Sequence, residues 1–234
     1  MDYRDIEQTL ADAGLLARGG FHPGPGDGAP GNAATLVLVG NAGPALWRAF
    51  SKATTEQARN HDRHPLDQWT RQVVGRAAAD LGAQVVFPFD GPPYPPFQSW
   101  ALKAGGVHVS PIGPLIHPKY GLWHAYRGAL LFADRLVLPE VADAPSPCDG
   151  CAAKPCLTTC PVGAFKPGTG AARARYDVPG CVGHVGGARG GDCLGGGCLA
   201  RRACPVGRDH IYEPAQARFH MRRFVLAQGG KVPA

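Results

Sequence analysis

Eight cysteines are the residues best suited to do chemistry in this chain, and all of them fall between Cys148 and Cys204. They form two sets of four, each closed by Cys-Pro. Cys148, Cys151, Cys156 and Cys160 are spaced C-x2-C-x4-C-x3-C-P, and Cys181, Cys193, Cys198 and Cys204 are spaced C-x11-C-x4-C-x5-C-P. Thiolates are soft, anionic ligands, four of which a four-iron four-sulfur cube requires. In paired runs that end in Cys-Pro, the fourth cysteine of each run ligates the other cluster, because proline turns the chain away from the first. The pattern therefore predicts one cube on Cys148, Cys151, Cys156 and Cys204, and a second on Cys181, Cys193, Cys198 and Cys160. The gaps of four and five residues are longer than those of the usual run.

Two other chemistries use clustered cysteines. Structural zinc sites also take four, with C-x2-C spacing, but only Cys148 and Cys151 keep that spacing, and zinc gives no reason for a proline after each terminal cysteine. A disulfide framework needs an oxidising compartment. The opening MDYRDIEQTLADAGLL has no basic stretch followed by an apolar one, so no secretion signal is read and a reducing cytoplasm is expected. Gly183, Gly186, Gly187, Gly190, Gly191 and Gly195 to Gly197 let a backbone wrap closely and aim N–H groups at sulfur. The same glycines would suit a flexible linker, were cysteines not interleaved with them.

The elements that must position these residues follow from periodicity. Asp2–Arg18 has Ile6, Leu10, Ala13 and Leu16 at helical spacing, with Asp2 as N-cap and Gly19-Gly20 as stop. Residues 35–39 (TLVLV) and 84–89 predict buried strands, and residues 45–52, 64–82 and 97–103 predict helices. Asp90–Pro96 (DGPPYPP) is a proline-stiffened loop. Strands near 107–110 and 122–132 and a helix over 214–228 complete an α+β sheet with packed helices. We expect a body over 1–140, a cysteine module over 141–210 and a C-terminal helix over 211–234 packing back on the body.

Composition narrows the functional class. The apolar fraction is 44% of 234 residues, and no apolar run approaches the roughly twenty residues of a membrane span. Much of the net charge of +6 lies in Arg201, Arg202, Arg208, Arg218, Arg222 and Arg223. That patch suits an acidic electron donor or a phosphate as well as it suits water, and a nucleic-acid partner is not expected.

Residues 104–132, AGGVHVSPIGPLIHPKYGLWHAYRGALLF, resemble the core of the CblC-type cobalamin-processing proteins. Ile116-His117-Pro118-Lys119-Tyr120-Gly121, Trp123 and Arg127-Gly128 stand where that family has I-H-P-R-F-G-x-W-x-x-R-G. The block is also similar to epoxyqueuosine reductase, whose corresponding stretch precedes two iron–sulfur clusters, and the cysteine module resembles that family and the two-cluster ferredoxins. The W-I-G-K of the reductase is replaced by His108 to Gly113. Both resemblances imply a nitroreductase-like (flavin-reductase-like) scaffold holding cobalamin with its benzimidazole base off cobalt, or flavin in its place.

The resemblance implies a pocket over 90–96, 107–120 and 123–127, with His108, Pro111, Ile112, Gly113, Ile116, His117, Tyr120, Trp123 and Arg127 toward the cofactor. Arg127 reads equally as a structural ion pair, and the histidines as core or pocket lining. Asp90, near the position of the reductase's proton-donating aspartate, is a candidate catalytic acid or simply a turn residue. The leading expectation is an oxidoreductase that removes the upper axial ligand of cobalamin, by decyanation or dealkylation, with electrons from two 4Fe-4S clusters. A ferredoxin, flavodoxin or their reductase would be the donor. The alternatives are a cobalamin-dependent reductase of another substrate, of the epoxyqueuosine or dehalogenase kind, and a simple electron carrier.

Overall fold

The computed structural model describes residues 1–141, 144–166 and 175–233. The chain divides into two compact units, Met1–Gly106 with His124–Ala144, and Val107–Trp123 with Pro145–Ala234. The expected boundaries at 141 and 211 differ from this division. Residues 107–123 belong with the cysteines, and the C-terminal helix is part of the same unit.

In the first unit, α1 (Tyr3–Ala11) starts at Asp2, whose carboxylate accepts the N–H groups of Arg4 and Asp5 while the Asp5 carboxylate accepts that of Asp2. The helix does not run to Arg18 as the spacing predicts. Gly14 turns the chain at a φ of +65°, and a Cβ there would lie 2.4 Å from the Ala45 carbonyl carbon. The chain leaves as β1 (Leu16–Phe21), which takes Gly19 and Gly20 into an edge strand at a register shift between Ala17 and Gly20. β2 (Thr35–Ala42) is the predicted apolar strand, with Leu36 to Val39 wholly buried.

Three helices follow: α2 (Ala45–Ala53), α3 (Glu56–His61), which has no buried residue and no sequence signal, and α4 (Pro65–Asp80), which buries Leu66, Trp69, Thr70, Val74, Ala77 and Ala78. β3 (Gln84–Val86) is shorter than predicted, and α5 (Phe97–Ala104) keeps Trp100 and Ala101 in the core. β4 (His108–Val109) and β5 (Leu115–Ile116) pair as a two-stranded ribbon in the second unit. β6 (His124–Phe132) then returns to the first unit and lies between β2 and β3, giving the order β1-β2-β6-β3 with every pair antiparallel.

The second unit is built of short pieces: α6 (Pro155–Thr158), β7 (Phe165–Lys166) paired with β8 (Arg175–Tyr176), α7 (Val178–Val185), α8 (Gly191–Gly196), α9 (Leu199–Arg202) and α10 (Pro214–Ala227). Short elements bury little surface alone, so the cysteine side chains themselves fill the core. Cys156 and Cys204 pack with Ile112, Ile116, Leu122 and Phe165, and Cys181 and Cys193 pack with Ala164, Val185, Leu194 and Val225. α10 lies on α7 and α8.

Two glycines close this unit. Gly121, at φ +57°, would place a Cβ 2.0 Å from the Val206 carbonyl oxygen, and Gly207, at φ +75°, one 2.3 Å from the Tyr120 backbone. The His117–Gly121 turn therefore meets the segment after Cys204-Pro205 backbone to backbone. We predict that Gly121→Ala destabilises by about 2 kcal/mol or more, from the left-handed backbone and the clash together. Gly75→Ala, in the interior of α4 with open space at its Cβ, stabilises by up to about 1 kcal/mol. Denaturant midpoints of the two variants check both signs.

Candidate functional site

The chain path of the second unit sorts the eight cysteines into two neighbourhoods. Cys156 sits on α6, Cys181 on α7 and Cys193 on α8; Cys198 caps α9 and Cys204 follows it. Cys148, Cys151, Cys156 and Cys204 line one cavity, together with Pro111, Ile116, Lys154 and Val206. Burial pushes the thiols of Cys148 and Cys156 up, and neighbouring Cys204 and Cys151 push them further. Burial also raises Cys181, with Cys198, Cys160 and Cys193 adding to it, and raises Cys198, with Cys160 adding to it. Cys204 thus lies with the first three cysteines and Cys160 with the last three. Cys160 itself packs against both apolar clusters.

All eight thiols are free. Thiols that raise one another's pKa ionise readily only beside a cation, which reverses the sign of the local field. Among the described residues no three His, Cys, Asp or Glu side chains converge as ligands of one ion. A zinc ion with sulfurs at 2.3 Å would hold them about 3.8 Å apart. In a cube each thiolate binds its own iron, so the sulfurs spread around a cavity.

The residues expected to face a cofactor are divided between the units. Pro111 and Ile116 line the cavity of the first cysteine group, and Ile112 packs in the same core. His108 pairs with Ile116 across β4 and β5, and Gly113, at φ +101°, has open space at its Cβ. The His117 Nδ1 accepts the N–H of Lys119 at 3.0 Å, and its ring stacks on Tyr120 at 4.4 Å. Trp123 is 1% exposed and packs on Tyr212 and Ala217.

Arg127, in the first unit, donates to the Asp67 carboxylate at 2.7 Å and to the Thr70 hydroxyl at 3.1 Å. The structural ion pair is therefore present. Its Nε is nonetheless buried without a partner, and in the second unit the same is true of the Ser110 Oγ and Trp123 Nε1. Buried polar atoms left without a partner in the protein are where ligands and ordered water act. His124 is core, its Nδ1 3.5 Å from Arg18 Nη2 beneath Tyr126. Asp90 has both oxygens engaged, one with Arg71 at 2.5 Å and one with the Phe87 N–H at 2.9 Å, and it holds the turn after β3.

Sequence reasoning missed three groups. Arg201, noted only as surface charge, gives its Nε–H and an Nη2–H to the Leu122 carbonyl, at 2.8 Å from Nε. Its guanidinium lies against both the Trp123 ring, at 4.4 Å, and the Tyr212 ring, at 4.5 Å, which themselves meet edge to face. Tyr176 donates its hydroxyl to Cys181, and burial together with that bond pushes its own pKa far up. In the first unit an open depression of about 710 Å³ is lined by Phe21, His22, Lys103, Arg135 and Leu136 to Leu138. Position gave the first two away: Arg201 lies three residues after Cys198 and Tyr176 five before Cys181.

No protein-family model and no curated protein sequence matches this chain. Its fold does have a counterpart among solved structures. The crystal structure of the C. elegans B12-trafficking protein CblC, a homologue of human MMACHC, is similar with a TM-score of 0.54, at 14% identity, over 97% of this chain and 94% of that chain. The chain has the fold of CblC. Among the described residues, no helix is long and apolar enough to cross a membrane.

The grouping of the thiols generates a prediction. Cys204→Ser removes about half of the iron of anaerobically reconstituted protein and spares the part held by Cys181, Cys193 and Cys198. Cys160→Ser does the reverse. Iron analysis with EPR of each variant checks this, and loss of the opposite half in either one refutes the crossed grouping.

Proposed function

We propose that this chain is an iron–sulfur cobalamin-processing reductase: a nitroreductase-like, CblC-type protein that carries a ferredoxin-like pair of 4Fe-4S clusters and reductively removes the upper axial ligand of cobalamin. One observation carries the reading. A CblC fold over 97% of the chain coincides with eight free thiols gathered four and four in one unit. The clusters would supply single electrons, and the corrinoid the cobalt bearing the ligand to be removed.

The chain's own residues support that role by fixing positions and excluding water. Cys148, Cys151, Cys156 and Cys204 would hold one cluster, in a cavity whose walls include Pro111, Ile116 and Val206. Cys160, Cys181, Cys193 and Cys198 would hold the other. Ser110 and Trp123 in the second unit each keep a buried polar atom free to bond a ligand, and so, separately, does Arg127 in the first. Asp67 and Thr70 orient the Arg127 guanidinium and leave its Nε–H as the unused donor. Free thiols suit a reducing compartment, and the arginines of the second unit suit an acidic electron donor such as a flavodoxin or ferredoxin. The cysteine module also keeps a second reading in view, in which the reduced substrate is another molecule of the epoxyqueuosine kind.

Anaerobic titration of cluster-loaded protein with cob(II)alamin tests the proposal. Binding shifts the visible spectrum to the blue as the benzimidazole leaves cobalt, and cyanocobalamin loses cyanide when the protein is reduced. Arg127→Ala weakens binding about tenfold or more, the loss of one charge-assisted hydrogen bond, and keeps its iron. An unchanged cobalamin spectrum at concentrations well above micromolar contradicts the cobalamin reading and favours a flavin or an electron-carrier role. Decyanation absent despite base-off binding favours the second reading.

A further inference from the structure

The open depression of the first unit lies past the Phe132 end of β6, whereas Arg127 stands toward the other end of that strand. It measures about 710 Å³, within the range of small-molecule sites. Phe21 and His22 line it where β1 ends, Lys103 lines it from α5, and the chain from Arg135 to Leu138 completes it.

The polar side chains of this depression stand on fixed bases. The buried Thr35 hydroxyl donates to the Asp134 carbonyl at 2.8 Å and accepts the Leu136 N–H at 2.9 Å, so it pins the backbone on both sides of Arg135. His22 is tied to the same strand. Its Nδ1 donates to the Ala34 carbonyl at 2.9 Å and lies 3.4 Å from the Thr35 hydroxyl. A carbonyl only accepts, so Nδ1 carries the proton, and Nε2 is an acceptor without a partner among the described residues. Lys103 is held by the Asp27 carboxylate at 2.5 Å and lies over the Phe21 ring at 5.0 Å. Asp27 is fixed in turn, accepting the Gly24 N–H at 2.6 Å and lending its carbonyl to Trp100 Nε1 at 2.7 Å.

Two features here serve no contact in the fold. Among the described residues, Arg135 has no ion-pair or hydrogen-bond partner. Val137 is 90% exposed, between the half-buried Leu136 and Leu138. A guanidinium with no anion therefore stands beside an apolar rim.

We propose that this depression binds a small organic phosphate monoester, with its phosphate on Arg135 and His22 and its apolar group on Val137 and the flanking leucines. Arg135 offers parallel N–H donors that match two phosphate oxygens, and Lys103 adds a point charge that Asp27 partly offsets. His22 decides between anions. A phosphate monoester, with a second pKa of about 6, keeps a proton on a fraction of its molecules at neutral pH, and Nε2 accepts it. A carboxylate has no such proton to give. The site does not rest on the cobalamin or cluster readings.

Calorimetric titration of the full chain with phenyl phosphate, with amide chemical shifts to locate the ligand, tests the proposal. Phenyl phosphate binds below millimolar and shifts the amides of His22, Lys103 and residues 135–138, while benzoate binds at least about tenfold more weakly. Arg135→Ala weakens phenyl phosphate about tenfold or more, and Arg135→Lys, which keeps the charge without the fork, recovers part of the loss. Val137→Ser weakens phenyl phosphate but not inorganic phosphate. Both residues are exposed, so these variants fold. Arg189→Ala, the same change of charge on the second unit, leaves binding as it was. No binding at millimolar concentration, or amide shifts elsewhere, overturns the site. Benzoate binding as tightly overturns the phosphate assignment, and an equal loss in Arg189→Ala shows general charge attraction in place of a site.

Discussion

The second unit crowds free, buried thiols into its core, where any negative charge on one of them is opposed by its neighbours. Cys156, Cys181, Cys193 and Cys204 are buried, and each group of four contains cysteines from both runs. Burial and neighbouring thiols raise the pKa of Cys156, Cys181 and Cys193, and a polynuclear cation would relieve both effects at once. The short helices α6 to α9 share two apolar clusters with the cysteines, and the metal groups proposed above would tie the same elements together. Metal binding and folding are coupled in such small units, because the site does not exist in the unfolded chain.

That constraint explains the glycines at the closest approaches. Gly121 and Gly207 bring the His117–Gly121 turn against the chain after Cys204-Pro205, with no room for a side chain at either position. Residues 107–123 are thereby committed to the cysteine-bearing unit, even though they precede β6 of the first unit in sequence. Leu122 then lends its carbonyl to Arg201, and Trp123 its ring. Within the second unit, residues 107–123 are thus packed on Arg201 and line the cavity of Cys148, Cys151, Cys156 and Cys204.

Long periodic elements were legible in the sequence: β2, α4, α5, β6 and α10 all form where apolar spacing requires, and the eight cysteines announced the segment that organises the second unit. The first helix was overread. Ala13 and Leu16 continue the helical spacing of Ile6 and Leu10, but Gly14 at positive φ breaks the chain and backbone pairing with β2 takes over. α3, α6, α8 and α9 were invisible because four to six residues are too few to show a period, and α7 because Pro179, Gly180 and Gly183 interrupt its pattern. The division into units differs from the one read in the sequence, because a unit assembled from two separated stretches leaves no mark in local composition. Arg201 and Tyr176 carried a positional signal beside the cysteines, but what they touch depends on tertiary packing.

The most direct test of the central claim is the metal and sulfide content of the anaerobically purified chain, measured together with its Mössbauer spectrum. Two cubane clusters require about eight iron atoms and about eight labile sulfides per chain, in two four-iron environments. Two zinc ions per chain, with no labile sulfide and no charge-transfer absorption, would contradict it.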